Sequence, residues 1–123
     1  MFDHIGFNVK DFTKSKAFYT QALAPLGLSI VMEGEGWAMI GKDGFNFWFG
    51  SFGPAPTAIH VAFSAANHAQ VQAFHAAALA AGGQDNGAPG FRPQYHPNYY
   101  AAFVIDPDGH NLEAVCHRGE KPE

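Results

Sequence analysis

No disulfide can form within this chain, because Cys116 is its only cysteine; a reducing cytoplasm is the compartment such a sequence fits. Charged residues are scarce as well. Lys, Arg, Asp and Glu make up 15% of the 123 residues, the net charge is −4 and no basic run occurs. That argues against nucleic acid or an anionic membrane as the main partner. No apolar stretch is long enough to cross a bilayer, and the opening M-F-D-H lacks the charged and apolar parts of a secretory signal. What the chain does hold is apolar: 47% of it is hydrophobic and 15% aromatic. This is too much for disorder and enough for one domain, residues 1–123, with a real core.

The chain also nearly repeats itself. D-H-I-G-F-N-V, from Asp3, lies over I-H-V-A-F-S-A, from Ile59, so that His4 falls on His60 and Phe7 on Phe63 at an offset of 56 residues. At the same offset K-A-F-Y-T-Q-A-L, from Lys16, lies over Q-A-F-H-A-A-A-L, from Gln72. Further on, K-D-G-F-N-F-W matches P-D-G-H-N-L-E at an offset of 65, pairing Asp43, Gly44 and Asn46 with Asp108, Gly109 and Asn111. Two copies of one module, at about residues 1–52 and 57–118, neither able to close a core alone, predict a pseudo-twofold structure in which equivalent positions face each other.

Each copy reads strand, helix, then three strands. Ile5, Phe7 and Val9 alternate with His4, Gly6 and Asn8, the period of a strand with two different faces. A helix is expected over 13–26, capped by Asp11 or Thr13 and stopped by Gly27. Short strands follow over 28–33, 37–42 and 45–50. In the second copy a strand over 59–64 leads to a helix over 67–81, with Val71, Phe74, Ala78 and Leu79 on one stripe and Gly82-Gly83 ending it. Residues 84–87 suit a short strand, and 88–98, with Pro89, Pro93 and Pro97, an irregular loop. The last two strands run over 99–106 and 110–117. The sum is an α+β fold of two paired βαβββ modules, whose mixed sheets form an open cup with the helices packed on the outside.

Strand parity sorts the polar residues. His4, His60 and Glu113 each share a face with small or polar neighbours, while the apolar residues beside them suit the helix side. The three therefore point into the cup. Two imidazoles and a carboxylate from separate strands can hold a divalent cation on one side and leave positions open for substrate. Burying a lone carboxylate in a strand as apolar as L-E-A-V would otherwise be costly.

These residues resemble the vicinal oxygen chelate superfamily, which includes glyoxalase I, bleomycin-resistance proteins, fosfomycin-resistance thiol transferases and extradiol dioxygenases. The carriers are D-H-I-G-F-N-V with K-S-K-A-F-Y, then I-H-V-A-F, and D-P-D-G-H-N-L-E-A-V, which together span almost the whole chain. The resemblance implies paired βαβββ modules around a metal, commonly in a homodimer, in some members with modules exchanged between chains. His4, His60 and Glu113 land on the family's metal positions, with zinc, iron, manganese or nickel as acceptable ions. The partner of Glu113 in the first copy is Trp48, where glyoxalase I-like enzymes carry another glutamate. An indole offers only a donor, so the resemblance speaks against the glyoxalase I reaction and implies a set closer to extradiol dioxygenases or fosfomycin-type transferases.

The rest of the pocket is read from residue types. Trp48 is expected to wall the cavity, and Asn8 to offer a polar contact on the same face. The segment F-R-P-Q-Y-H-P-N-Y-Y packs Arg92, Tyr95, His96, Tyr99 and Tyr100 into one proline-pinned loop. His96 is a candidate acid or base, and Tyr99 or Tyr100 a donor to a developing oxyanion. Arg92 suits a substrate carboxylate through a bidentate pair, and Tyr95 is a further candidate for substrate binding. His117 lies about 13 Å from Glu113 at strand rise, too far to share its ion. Cys116 points away from the cup. Two functions follow: a metal-dependent lyase, isomerase or dioxygenase acting on a small oxygen-bearing metabolite, or a metal-free ligand-binding protein of the bleomycin-resistance type.

Overall fold

The computed structural model describes residues 3–42, 44–56 and 59–118, with only the backbone of Phe45 among them. Asp43, which the repeat matches to Asp108, lies outside the described residues. Alternation makes His4–Asn8 the strand β1. Asp11 then caps the helix α1, Phe12–Leu23, by accepting from the Lys14 amide at 3.1 Å. Pro25 has no amide to continue the helix. The chain tightens into a 3-10 turn over Ala24–Leu26, and Gly27 leaves it at φ 84°. Strands β2 (Ser29–Gly34), β3 (Trp37–Lys42) and β4 (Phe45–Gly50) complete the first module.

The second module repeats the plan. Strand β5 (His60–Ser64) leads to α2 (His68–Ala80), capped by Asn67 through the Gln70 amide at 2.8 Å. Strands β6 (Gln84–Phe91), β7 (Tyr100–Ile105) and β8 (Asn111–Cys116) follow. Each module builds its own mixed sheet, in the orders β1-β4-β3-β2 and β5-β8-β7-β6, with the first pair parallel and the others antiparallel. The two parallel ladders have one register. His4 lies opposite Asn46 and Gly6 opposite Trp48; His60 lies opposite Asn111 and Ala62 opposite Glu113. The α+β arrangement of two βαβββ modules is thus as the repeat predicts, and Trp48 stands where the other copy has Glu113.

One element differs. The sequence reading ends its short strand at residue 87, whereas β6 runs on to Phe91. Register shifts between Asp85 and Gly87, and again between Gly87 and Gly90, leave Pro89 outside the ladder. A bulged edge strand tolerates a proline that a central strand would reject.

One face of each sheet is covered by the helices, which also pack on each other. Phe7, Val9, Phe47 and Phe49 from the first sheet meet Phe18, Tyr19, Leu23, Val71 and Phe74 from the helices and Phe63, Leu112 and Ala114 from the second sheet in one buried cluster. Each large side chain so buried contributes about 2 kcal/mol. Polar links cross between the modules: the Tyr19 hydroxyl donates to Asp106, and the Lys10 amide to Asp108 at 3.3 Å. The other face of each sheet is open, with His4, Gly6, His60, Ala62 and Ser64 all exposed. Among the described residues no helix is long and apolar enough to cross a membrane.

Candidate functional site

On the second sheet the open face is centred on Glu113. This residue is buried to 1% exposure although three of its flanking strand residues, Leu112, Ala114 and Val115, are apolar. Two donors offset the burial of its charge. The Nε2 atom of the solvent-facing His60 lies 2.7 Å from Oε1, and the Tyr99 hydroxyl donates to Oε2. Burial, and then the bond to Glu113, pushes the Tyr99 hydroxyl up to about 12, so it keeps its hydrogen and donates throughout the neutral range. Phe103, opposite Glu113 in the β7–β8 ladder, sets its ring 6.2 Å from the His60 imidazole. Strand parity alone could have found it, since Tyr99, Ala101 and Phe103 share a face.

On the first sheet the open face forms a cavity of about 460 Å³ lined by His4, Gly6, Phe7, Asn8, Met39 and Trp48. The indole of Trp48 lies flat because glycines make room for it. A Cβ on Gly6 would come within 3.0 Å of its Cε3, and one on Gly50 within 2.8 Å of its Cη2. Phe52 stacks on the indole at 6.1 Å. Asn8 is engaged by its neighbour, accepting from the Phe52 amide at 3.2 Å. His4 is exposed, with Asp3 2.8 Å from its Nδ1. Met39, opposite Trp48 in the β3–β4 ladder, is a lining residue that the sequence reading did not single out.

An imidazole nitrogen and a carboxylate oxygen side by side on a strand pair are the donor types a divalent cation takes, once the hydrogen they share at 2.7 Å is released. His60 and Glu113 therefore fit the group; His4 belongs to the other sheet. Among the described residues, the only three ligating side chains whose ligand atoms all lie within 4.8 Å of one another are Asp106, Asp108 and His110, in the D-P-D-G-H turn. His4 thus does not complete the His60–Glu113 pair within one chain.

The turn cluster could hold an ion by proximity, but its donors are committed. Asp106 accepts from the amides of Asp108 and His110 and from the Tyr19 hydroxyl. The Ile59 amide donates to His110 Nδ1 at 3.1 Å, so the neutral ring carries its hydrogen on Nε2 and has no lone pair there. That buried Nε2–H and the buried Asp108 Oδ2 have no protein partner. A ring that presents N–H rather than a lone pair suits a water better than a cation.

The aromatic segment divides. Tyr99 faces Glu113, but its neighbour Tyr100 turns to the helix side, as strand alternation requires. There it stacks on His68 at 3.8 Å and accepts from Gln72 at 2.9 Å. Tyr100 is therefore withdrawn as a donor to substrate. Tyr95 is exposed and stands edge-on to Tyr99 at 5.2 Å. His96 is exposed too, its Nδ1 accepting from the Asn98 amide and its ring 5.9 Å from His117. His117 packs edge-on against Tyr99 at 5.2 Å, a supporting place rather than a ligand's. Cys116 is buried, away from the open face.

The sequence matches the family model described as the Glyoxalase/Bleomycin resistance protein/Dioxygenase superfamily over residues 1–114. A glyoxalase/bleomycin resistance protein from Albidiferax ferrireducens T118 is 30% identical, with a TM-score of 0.81 and 99% of both chains covered. A glyoxalase-related enzyme from Fulvimarina pelagi is 22% identical, with a TM-score of 0.74 over 94% of this chain and 87% of its own. A lactoylglutathione lyase from Agrobacterium tumefaciens is 16% identical, with a TM-score of 0.70 over 94% of this chain and 92% of its own. At the two lower identities the likeness is one of fold alone. No curated protein matches the chain.

Proposed function

The chain belongs to the Glyoxalase/Bleomycin resistance protein/Dioxygenase superfamily, and from that premise we propose that it is a metal-dependent enzyme acting on a small oxygen-bearing metabolite. The observation that carries this reading is Glu113, buried on an apolar strand with its Oε1 2.7 Å from a solvent-facing imidazole. His60 and Glu113 would hold the cation, with His4 as third ligand from a second copy of the chain in a homodimer. Zinc, iron, manganese and nickel all accept this donor set. When bound, the cation supplies Lewis acidity to two vicinal oxygens of the substrate.

The remaining work falls to the chain's own groups. Tyr99 fixes the Glu113 carboxylate from the side away from His60, so the ligand oxygen keeps one orientation. Trp48 offers a flat apolar wall for substrate, with Asn8 at its edge, and Tyr95 and His96 stand at the rim of the other half. Proton transfer, as in a lyase or isomerase, and ring-opening oxygenation both suit such a site. The glyoxalase I reaction is disfavoured, since the ladder puts Trp48 where a second carboxylate would stand. A single buried cysteine is in keeping with a cytoplasmic setting.

One observation favours the second reading, a metal-free ligand-binding protein: both Glu113 oxygens already have donors, His60 and Tyr99. Elemental analysis separates the two. The enzyme reading expects about one tightly held divalent ion per chain, lost in His60→Ala and Glu113→Gln variants that keep their fold. Wild-type protein that takes up no ion at any divalent concentration tested would leave only the binder.

A further inference from the structure

We propose that Arg92 anchors an anionic group, which makes the substrate an acid: a carboxylate at one end, vicinal oxygens at the other, and a flat apolar stretch about one ring wide between. The oxygen-bearing end rests on the reading of His60 and Glu113 given above. The carboxylate end rests on Arg92 alone.

The guanidinium is seated by neutral groups. Nη1 donates to the Gly90 carbonyl and Nη2 to the Ala88 carbonyl, both at 2.8 Å, and the Arg92 amide to the Tyr99 carbonyl at 2.7 Å. Glycines leave the group room, since a Cβ on Gly87 would sit 3.2 Å from Nη2 and one on Gly90 3.2 Å from Nη1. Among the described residues no carboxylate pairs with this cation. Nη1 also reaches the Phe91 carbonyl at 3.5 Å, so the carbonyls hold the planar group through Nη1 and one Nη2 hydrogen without neutralising it, and Nε–H with the other Nη2 hydrogen remains for a partner of opposite charge. A carboxylate matches that fork by paired hydrogen bonds.

Position makes the anchor part of the site. The guanidinium carbon lies 5.4 Å from the centroid of the Phe103 ring, and the His60 ring 6.2 Å from the same centroid. Phe103 is also the ladder partner of Glu113. Arg92 thus stands over the same ring that borders the His60–Glu113 pair, and a ligand one ring in breadth beside Phe103 can meet both.

The test compares two probes that differ at one end only, 3,4-dihydroxybenzoate and the neutral 4-methylcatechol. Both are titrated calorimetrically, without oxygen, into metal-free protein and into zinc-loaded protein. The acid is expected to bind about tenfold more tightly than the neutral probe in both states. Arg92→Gln should bring the two within about twofold, and Arg92→Lys, a point charge without the fork, should fall between. A variant whose loop had merely lost its shape would weaken both probes together and leave their ratio unchanged. Equal affinities in the wild type, no binding of the acid in either state, or a preference that survives Arg92→Gln would each overturn the anchor. Failure of zinc to tighten either probe, with the acid preference intact, would count against the metal reading and leave the anchor standing.

Discussion

At the scale of single residues, Tyr19 joins the modules through one hydroxyl. It lies fully buried on α1 and donates to Asp106, a residue 87 positions away in the second module. Burial, and then the Asp106 charge, holds its ionisation well above the ordinary tyrosine range. A group whose folded pKa is raised contributes stability that is intact below its unfolded value, about 10, and is lost as pH climbs toward the folded one. Tyr99, pushed up to about 12, acts in the same direction. Urea midpoints of the wild type should therefore fall steeply once pH passes about 10. Tyr19→Phe should start about 1–3 kcal/mol lower at neutral pH, since Asp106 loses a donor in the interior, and then fall less steeply. Parallel slopes for the two proteins would show that Tyr19 does not set the alkaline limit. Nothing in the sequence marks this bond, because the repeat matches Tyr19 to His75 and gives no sign of a partner in another module.

Among the elements, the join between α2 and β6 separates two reasons for glycine. The Gly82 amide donates to the Leu79 carbonyl and the Gly83 amide to the Ala78 carbonyl, the paired bonds of a Schellman stop. Gly82 has φ 101° and nothing within 4 Å of its absent Cβ, so alanine there meets only backbone strain, about 1 kcal/mol. Gly83 needs no unusual φ, but a Cβ would stand 2.5 Å from Val104 and 2.9 Å from both Phe18 and the Ala78 carbonyl. Gly83→Ala should cost the more, about 2–3 kcal/mol, because backbone cannot step aside. Equilibrium unfolding of the two variants checks the ranking, and the reverse order would contradict this account of the join. The elements themselves were legible: period-two alternation located the strands, and caps and glycines bounded both helices. The β6 strand was not, because Pro89 and its neighbouring glycines read as loop when the partner strand that accommodates the bulges lies out of local view.

For the whole molecule, the repeat told which positions are equivalent but not which copies meet. Equal registers in the two parallel ladders follow from it directly, and with them the counterpart relation of Trp48 and Glu113. Which module faces which depends on how the helix faces pack, and here they pack on each other within the chain, leaving both sheet faces open. The two open faces carry His4 with Trp48 on one sheet and His60 with Glu113 on the other. If a site is made of one half from each of two chains, His4→Ala and His60→Ala break it from opposite partners and can rescue each other. Refolded together in equal amounts, the two variants would form about half mixed dimers, each with one intact ligand set. Divalent-ion binding by the mixture should then reach about a quarter of the wild-type stoichiometry, while each variant alone binds about tenfold or more weakly. A mixture that binds no more ion than its separate components would mean that no site draws ligands from two chains, and His4 would have to be removed from the ligand set.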